Sequence, residues 1–248
     1  MKIGVFDSGL GGLLTLKHLR QSLPQYDYVY FGDTLHMPYG SKTAEEVFAL
    51  TRGAVESLFD LDCGLVIVAC NTASSEALRR VQQEVLPGRF PDRRVLGVIR
   101  PIAESAYLAR RIGVLATEGT VNSEAYLREI LKVNPEAFIV QQAAPSLVPL
   151  LEAGKKADAA KDLPKYLAPL REAAIDTLVL GCTHYPLLKE QFKELMPEVS
   201  LIDQTGILPD KLADYLSRHP EIEGRLDKNG VTRLILTKRS QELEAKGR

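Results

Sequence analysis

The stretch Leu65-Val66-Ile67-Val68-Ala69-Cys70-Asn71-Thr72 reads as a buried strand that runs out into a thiol and two small polar residues. It has an echo further along the chain, where Thr177-Leu178-Val179-Leu180-Gly181-Cys182-Thr183-His184 repeats the same order of parts. The two cysteines stand 112 residues apart. A second landmark, Ile3-Gly4-Val5, recurs as Ile112-Gly113-Val114 after 109 residues, nearly the same offset. Two landmarks at one spacing predict two similar lobes, each presenting one cysteine just past a strand; chance likeness between apolar runs is the alternative.

Outward from these runs, short apolar segments alternate with longer amphipathic ones, the pattern of an α/β protein. Buried strands are predicted at 3–6, 28–31, 65–69, 95–99, 112–116, 137–140, 177–180 and 200–202. Helical patterns lie between them at 11–22, 43–59, 73–86, 102–110, 120–132, 158–174, 185–195 and 207–218. The near-continuous apolarity of the strands suits a parallel sheet with helices on both faces. Thr43 with Glu46 has the spacing of a capping box at the start of the second helix.

Composition narrows the function classes. The chain has 248 residues, 31 Lys+Arg against 32 Asp+Glu, and 45% hydrophobic residues. That apolar content and near-zero net charge argue against disorder, and the balance lacks the basic footprint of a nucleic-acid binder. No apolar run reaches the ~18 residues of a membrane span. The opening Met1-Lys2-Ile3-Gly4-Val5-Phe6 meets Asp7 too soon for a secretory signal. Three cysteines, Cys63, Cys70 and Cys182, make no disulfide framework and point to the cytoplasm.

Parallel α/β sheets bind ligands beyond the carboxyl ends of their strands. Those positions carry Asp7-Ser8-Gly9, Gly32-Asp33, Cys70-Asn71-Thr72, Thr117 and Cys182-Thr183-His184. Small polar groups, thiols and a carboxylate suit a small, highly polar ligand. Cys70 precedes a helix start, where the positive end of the helix dipole is expected to lower its pKa. Cys63, between Asp62 and Gly64, has no such setting and is expected to be a core residue. His184 stands two residues past Cys182, so a Cys–His hydrolase dyad is one reading. A metal site is not, because no second ligand pair has suitable spacing.

The hydrolase reading leaves Cys70 without a role. If the lobes face each other, one thiolate could take a proton from one face of a carbon while the other thiol returns one to the opposite face, inverting the centre. A cysteine pKa of about 8.5 makes a mixed thiol and thiolate pair easy to reach. Backbone N–H groups with Ser8, Asn71, Thr72 and Thr183 could hold the carboxylates of an anionic ligand. Asp7 could cap the next helix, receive an ammonium group or hold a proton network. Gly9-Leu10-Gly11-Gly12 is not G-x-G-x-x-G, and Asp7 would repel a pyrophosphate there. A non-catalytic amino-acid-binding protein is a further reading, although binding gains nothing from two activated thiols. Thiolate character and exposure would make both cysteines prone to oxidation.

The run Ile3-Gly4-Val5-Phe6-Asp7-Ser8-Gly9-Leu10-Gly11-Gly12 resembles the opening of glutamate racemases. So do Gly32-Asp33-Thr34 with Pro38-Tyr39-Gly40, Ala69-Cys70-Asn71-Thr72-Ala73-Ser74, and Leu180-Gly181-Cys182-Thr183-His184-Tyr185-Pro186-Leu187. The matches keep the family's order from residue 3 to about 206, whereas the chain from about 219 onward carries little of it. The resemblance implies two pseudo-symmetric α/β lobes with mainly parallel sheets flanked by helices and the active site in the cleft between them. The first lobe would be residues 1–95 plus 208–248, the second 96–207.

It further implies racemisation of L-glutamate to D-glutamate for peptidoglycan, by a cytoplasmic homodimer needing no cofactor or metal. Cys70 would act on the D-enantiomer and Cys182 on the L-enantiomer, assisted by Asp7 and His184. These two, with Ser8, Tyr39, Gly40, Asn71, Thr72 and Thr183, would bind the substrate, and Thr117 and Glu152 would contribute. Arg100, Ala144-Pro145 and Asp203-Gln204-Thr205 depart from the family pattern, all outside the cysteine blocks. Aspartate differs from glutamate by one methylene, a difference worth only about 1–3 kcal/mol, so an aspartate racemase of the same superfamily is the alternative substrate reading.

Overall fold

The central strand runs are buried on both faces, and the period-2 alternation of side chains sends them into different cores. In β1 (Lys2–Asp7), Ile3 and Val5 face a core containing Leu16, Ile102 and Leu212, while Phe6 faces another with Val55 and Leu58. In β5 (Arg111–Ala116), Ile112 and Val114 join that first core and Leu115 turns toward Leu163 and Leu180. One central core is therefore shared between two sheets, and each sheet has its own outer core. The computed structural model describes residues 1–238.

The remaining strands are β2 (Tyr28–Gly32), β3 (Cys63–Val68), β4 (Arg94–Gly97), β6 (Phe138–Ala143), β7 (Thr177–Gly181), β8 (Ser200–Ile202) and β9 (Thr232–Leu236). The first sheet runs β4-β3-β1-β2-β9 and the second β6-β5-β7-β8, with every pairing parallel. Parallel neighbours need crossovers, which here are the helices covering both faces. The repeat in the sequence is a repeat of pairing: β1 lies beside the strand leading to Cys70, and β5 beside the strand leading to Cys182. Gly4 sits opposite Val66 and Gly113 opposite Leu178, so even the register matches.

Local chemistry explains where the helices differ from their predicted spans. Thr43 and Glu46 form the expected capping box: Thr43 Oγ1 accepts from the Glu46 N–H and the Thr43 N–H donates to the Glu46 carboxylate. The predicted helix 73–86 is instead Asn71–Glu76 and Leu78–Arg80, a π turn Val81–Val85, and Leu86–Arg89. Pro87 has no N–H to donate and its ring would clash with the carbonyl four residues back, which fits the widened turn before it. The predicted helix 120–132 breaks where Glu124 takes the left-handed conformation, into Glu118–Asn122 and Ala125–Val133.

The strand predicted at 95–99 stops at Gly97, because Ile99 already opens the helix Ile99–Ser105, with Pro101 in the first turn where a missing N–H costs least. The sequence pattern predicts neither the helix Leu147–Glu152 nor strand β9, which pairs with β2, nor the short turns of helix Tyr39–Ser41 and Pro220–Glu223. Part of the expected first lobe, residues 239–248, lies outside the described residues. Among the described residues no helix is long and apolar enough to cross a membrane.

Candidate active site

The carboxyl ends of β1, β3 and β7 meet where the two sheets face each other. Cys70 caps the helix Asn71–Glu76, and its Sγ accepts from the Ala73 N–H at 3.5 Å and lies 3.2 Å from Ser8 Oγ. Cys182 follows β7 directly, and a short 3-10 turn, Tyr185–Leu188, takes the place of an α-helix after it. Both sulfurs line one small cavity, with Ser8, Tyr39, Gly40, Asn71, Thr72, Thr117, Thr183 and His184 around them. Glu152 stands behind that wall on His184, and the buried Asp7 carboxylate acts on Cys70 and His184 through its charge. Pro38, part of the motif Pro38-Tyr39-Gly40 but not a predicted site residue, and Val148, which no sequence signal marks, also line it. Cys63 is fully buried in the outer core of the first sheet, as its flanks suggested.

The cavity is closed. Its volume is about 20 Å³, room for about one water and far less than an amino acid. Thr72 Oγ1 and Thr117 Oγ1 hydrogen-bond at 2.9 Å across the sheets' boundary, and Thr117 Oγ1 also donates to Thr120 Oγ1 at 3.0 Å. Two glycines permit the approach. A Cβ on Gly40 would lie 2.7 Å from Thr117 Cβ, and one on Gly11 would lie 2.4 Å from Thr183 Oγ1. A ligand of amino-acid size does not fit the cavity as it stands. A larger, open groove of about 210 Å³ near Arg171 and Met196 holds no thiol or histidine.

His184 joins the two halves of the chemistry. Its Nδ1 is 3.8 Å from Cys182 Sγ, and its Nε2 is 2.6 Å from Glu152 Oε1, which also accepts from the Leu10 N–H. Burial pulls the imidazole toward its neutral form, but hydrogen bonds to Cys182 and Glu152, with their charges, more than offset it and hold its pKa well above the usual histidine value. A cationic ring beside a sulfur stabilises negative charge there.

Asp7 ends β1 fully buried. Its Oδ2 accepts from the N–H groups of Gly9 and Gly12, while Oδ1 is buried without a hydrogen-bond partner. Desolvation raises its pKa, and the facing His184 charge counters only part of that. Tyr39 donates its hydroxyl to Asp33 at 2.7 Å, and both ends of the Asn71 amide are taken by protein groups. These two residues can meet a ligand only through backbone or ring.

One expectation from the sequence is overturned. The helix start does not lower the pKa of Cys70. Burial, then the Asp7 carboxylate, push the thiol up to about 12, against smaller opposing effects from Ser8 and the Ala73 N–H. Desolvation wins because the cleft is shut, with Cys70 only 4% and Cys182 5% exposed. The exposure assumed for easy oxidation is absent for the same reason. Alkylation of Cys70 by iodoacetamide in the substrate-free protein should be slow near neutrality and climb about tenfold per pH unit up to roughly pH 10, since only the thiolate reacts. Mass spectrometry of the Cys70 peptide measures this, and a rate that is flat over that range would contradict it.

Comparison with known proteins places the chain in a family. The sequence profile of the family described as Asp/Glu/hydantoin racemase matches residues 15–210. The glutamate racemase of Geobacter metallireducens is 46% identical over 207 residues, covering 81% of this chain and 74% of its own. The crystal structure of a Bacillus anthracis glutamate racemase superposes with a TM-score of 0.88 at 31% identity, over 98% of this chain and 91% of that one. That of the Francisella tularensis glutamate racemase, solved with D-glutamate, gives 0.87 at 31% identity over 99% and 91%. The chain belongs to the Asp/Glu/hydantoin racemase family, among its glutamate racemases.

Proposed function

We propose that this protein interconverts L- and D-glutamate without a cofactor, by proton transfer at Cα between Cys70 and Cys182, and so supplies D-glutamate for peptidoglycan. The observation that carries the reading is the shared cavity, into which each half delivers one thiol from the end of an equivalent strand. From L-glutamate, Cys182 takes the α-proton as a thiolate, with the His184 cation stabilising the sulfur's negative charge and Glu152 orienting the ring. The carbanion then takes a proton from Cys70 on its other face. The high pKa of Cys70 suits this direction, because the thiol waits in its protonated form. From D-glutamate the roles reverse, with Asp7 beneath Cys70 as the carboxyl best placed to hold a proton.

Ser8, Thr72, Thr117 and Thr183, with Gly40, Tyr39 and Asn71, line the cavity; their hydroxyl and backbone groups would bind the substrate's carboxylates and amino group once the halves part. Residues 1–95 with 208–248 are proposed to move as one lobe against 96–207, a division supported by β9 rejoining the first sheet. A homodimer is supported by exposed apolar side chains at Tyr107, Leu108, Leu131, Val133 and Phe138. Hydrogen bonds from Asn134 to Ala109 and from Phe138 to Arg110 draw these segments together. Three free cysteines favour the cytoplasm.

Cys182, His184 and Glu152 also have the order of a nucleophile, base and orienting acid, which is the observation in favour of a hydrolase. A hydrolase of this kind does not need Cys70. Purified protein without pyridoxal phosphate is expected to drive the circular dichroism of L-glutamate to zero, and that of L-aspartate far more slowly. Equal or faster turnover of aspartate would move the reading to an aspartate racemase, and turnover of neither would remove it.

A further inference from the structure

Two thiols that must serve opposite faces of one carbon have to be held at a set separation, and one buried side chain touches the turn that carries each of them. Tyr126, on the helix Ala125–Val133, is fully buried. Its ring lies on Gly181, the residue before Cys182: a Cβ there would be 3.0 Å from Tyr126 Cε2. Its hydroxyl donates at 2.6 Å to Oδ1 of Asn71, the residue after Cys70.

The chain of hydrogen bonds continues and has one direction only. Asn71 Nδ2 donates to Gln204 Oε1 at 2.7 Å, and Gln204 Nε2 donates to the Ala69 carbonyl at 3.2 Å and to Thr15 Oγ1 at 2.6 Å. The Ala69 carbonyl can only accept, so the Gln204 amide must face it with nitrogen, which turns oxygen to Asn71 and leaves Asn71 Oδ1 for the tyrosine proton. Asp203 caps the helix Gln204–Arg218 and fixes where Gln204 begins it. Both neighbours of Cys70 are thereby tied to Gln204, and one of them to Tyr126.

We infer that Tyr126 and Gln204 are positioning residues: a strut and its anchor that set the spacing between the Cys70 and Cys182 turns. The hydroxyl is what separates this role from ordinary packing, because a phenylalanine would fill the space against Gly181 equally well. Misplacement of reacting groups by about 1 Å can cost on the order of 100-fold in rate, so a strut has a large kinetic signature and a small structural one.

The inference rests on the racemase reading, so wild-type protein is measured first. Tyr126→Phe keeps the ring and leaves Asn71 Oδ1 without its donor. It is expected to lower kcat about tenfold or more, to leave KM within about threefold, and to raise the isotope effect on kcat with α-deuterated L-glutamate as proton transfer becomes limiting. A purely structural role would reduce the active fraction and leave the isotope effect unchanged. Should Tyr126→Phe not fold, Thr15→Val at the far end of the chain is expected to move kcat and the isotope effect the same way by less, with Thr15→Ser restoring both. A wild type that racemises beside a Tyr126→Phe protein of unchanged kcat or unchanged isotope effect overturns the strut alone. A wild type that does not racemise overturns the reaction and the strut with it.

Discussion

Cys70→Ala and Cys182→Ala are each expected to lower racemisation of L-glutamate by roughly 10³-fold or more, the upper part of the range for a positioned acid or base. The loss should be equally severe for both, because inversion needs one group on each face of the carbon and neither sulfur can reach round to the other side. Methyl groups fill the two sites without strain: Cys70 gives up contacts to Ser8 Oγ and the Ala73 N–H, and Cys182 one to His184. The variants should therefore fold, and far-ultraviolet circular dichroism checks that they do. The pair of variants also separates the two chemistries that the geometry permits. A hydrolase built on Cys182, His184 and Glu152 would keep substantial turnover without Cys70, whereas racemisation would not survive its loss.

Much of the arrangement could be read from the sequence because strand ends are marked positions in a parallel sheet. Each buried run is nearly pure apolar, so the first polar residue after it, Asp7, Cys70, Thr117 or Cys182, announces where the chain leaves the core. The repeat was visible because Gly4 and Gly113 keep the same register against the cysteine strands. Other features had no such marker. Strand β9, Thr232-Arg233-Leu234-Ile235-Leu236, has only three apolar residues in a row at the edge of its sheet, with Arg233 and Leu234 exposed, and does not look like its buried neighbours.

The helix carrying Glu152 is six residues with a proline inside, too short to show a period. Tyr126 and Gln204 sit within helices, where an aromatic or an amide reads as packing or surface; only the fold brings them to Asn71. The direction of the Cys70 pKa is not legible either, because the sequence shows the helix start but not how deeply the thiol is buried where the two sheets meet, and it is burial that raises it.

The account depends on the proton being lost to one sulfur and gained from another, and deuterated water separates those events. Cys70 exchanges its proton with solvent before turnover and then delivers deuterium to the carbanion, while Cys182 holds the proton it has just removed. Either that sulfur returns the original proton and regenerates unlabelled L-glutamate, or Cys70 completes the inversion. L-Glutamate incubated with the protein in deuterated water, stopped early and analysed by chiral separation with mass spectrometry, should therefore give D-glutamate that is almost fully deuterated at Cα beside L-glutamate that is almost unlabelled. D-Glutamate that keeps the substrate's own proton, or equal labelling of both enantiomers from the first turnovers, would mean that a single group handles both faces, and the two-thiol mechanism would be wrong.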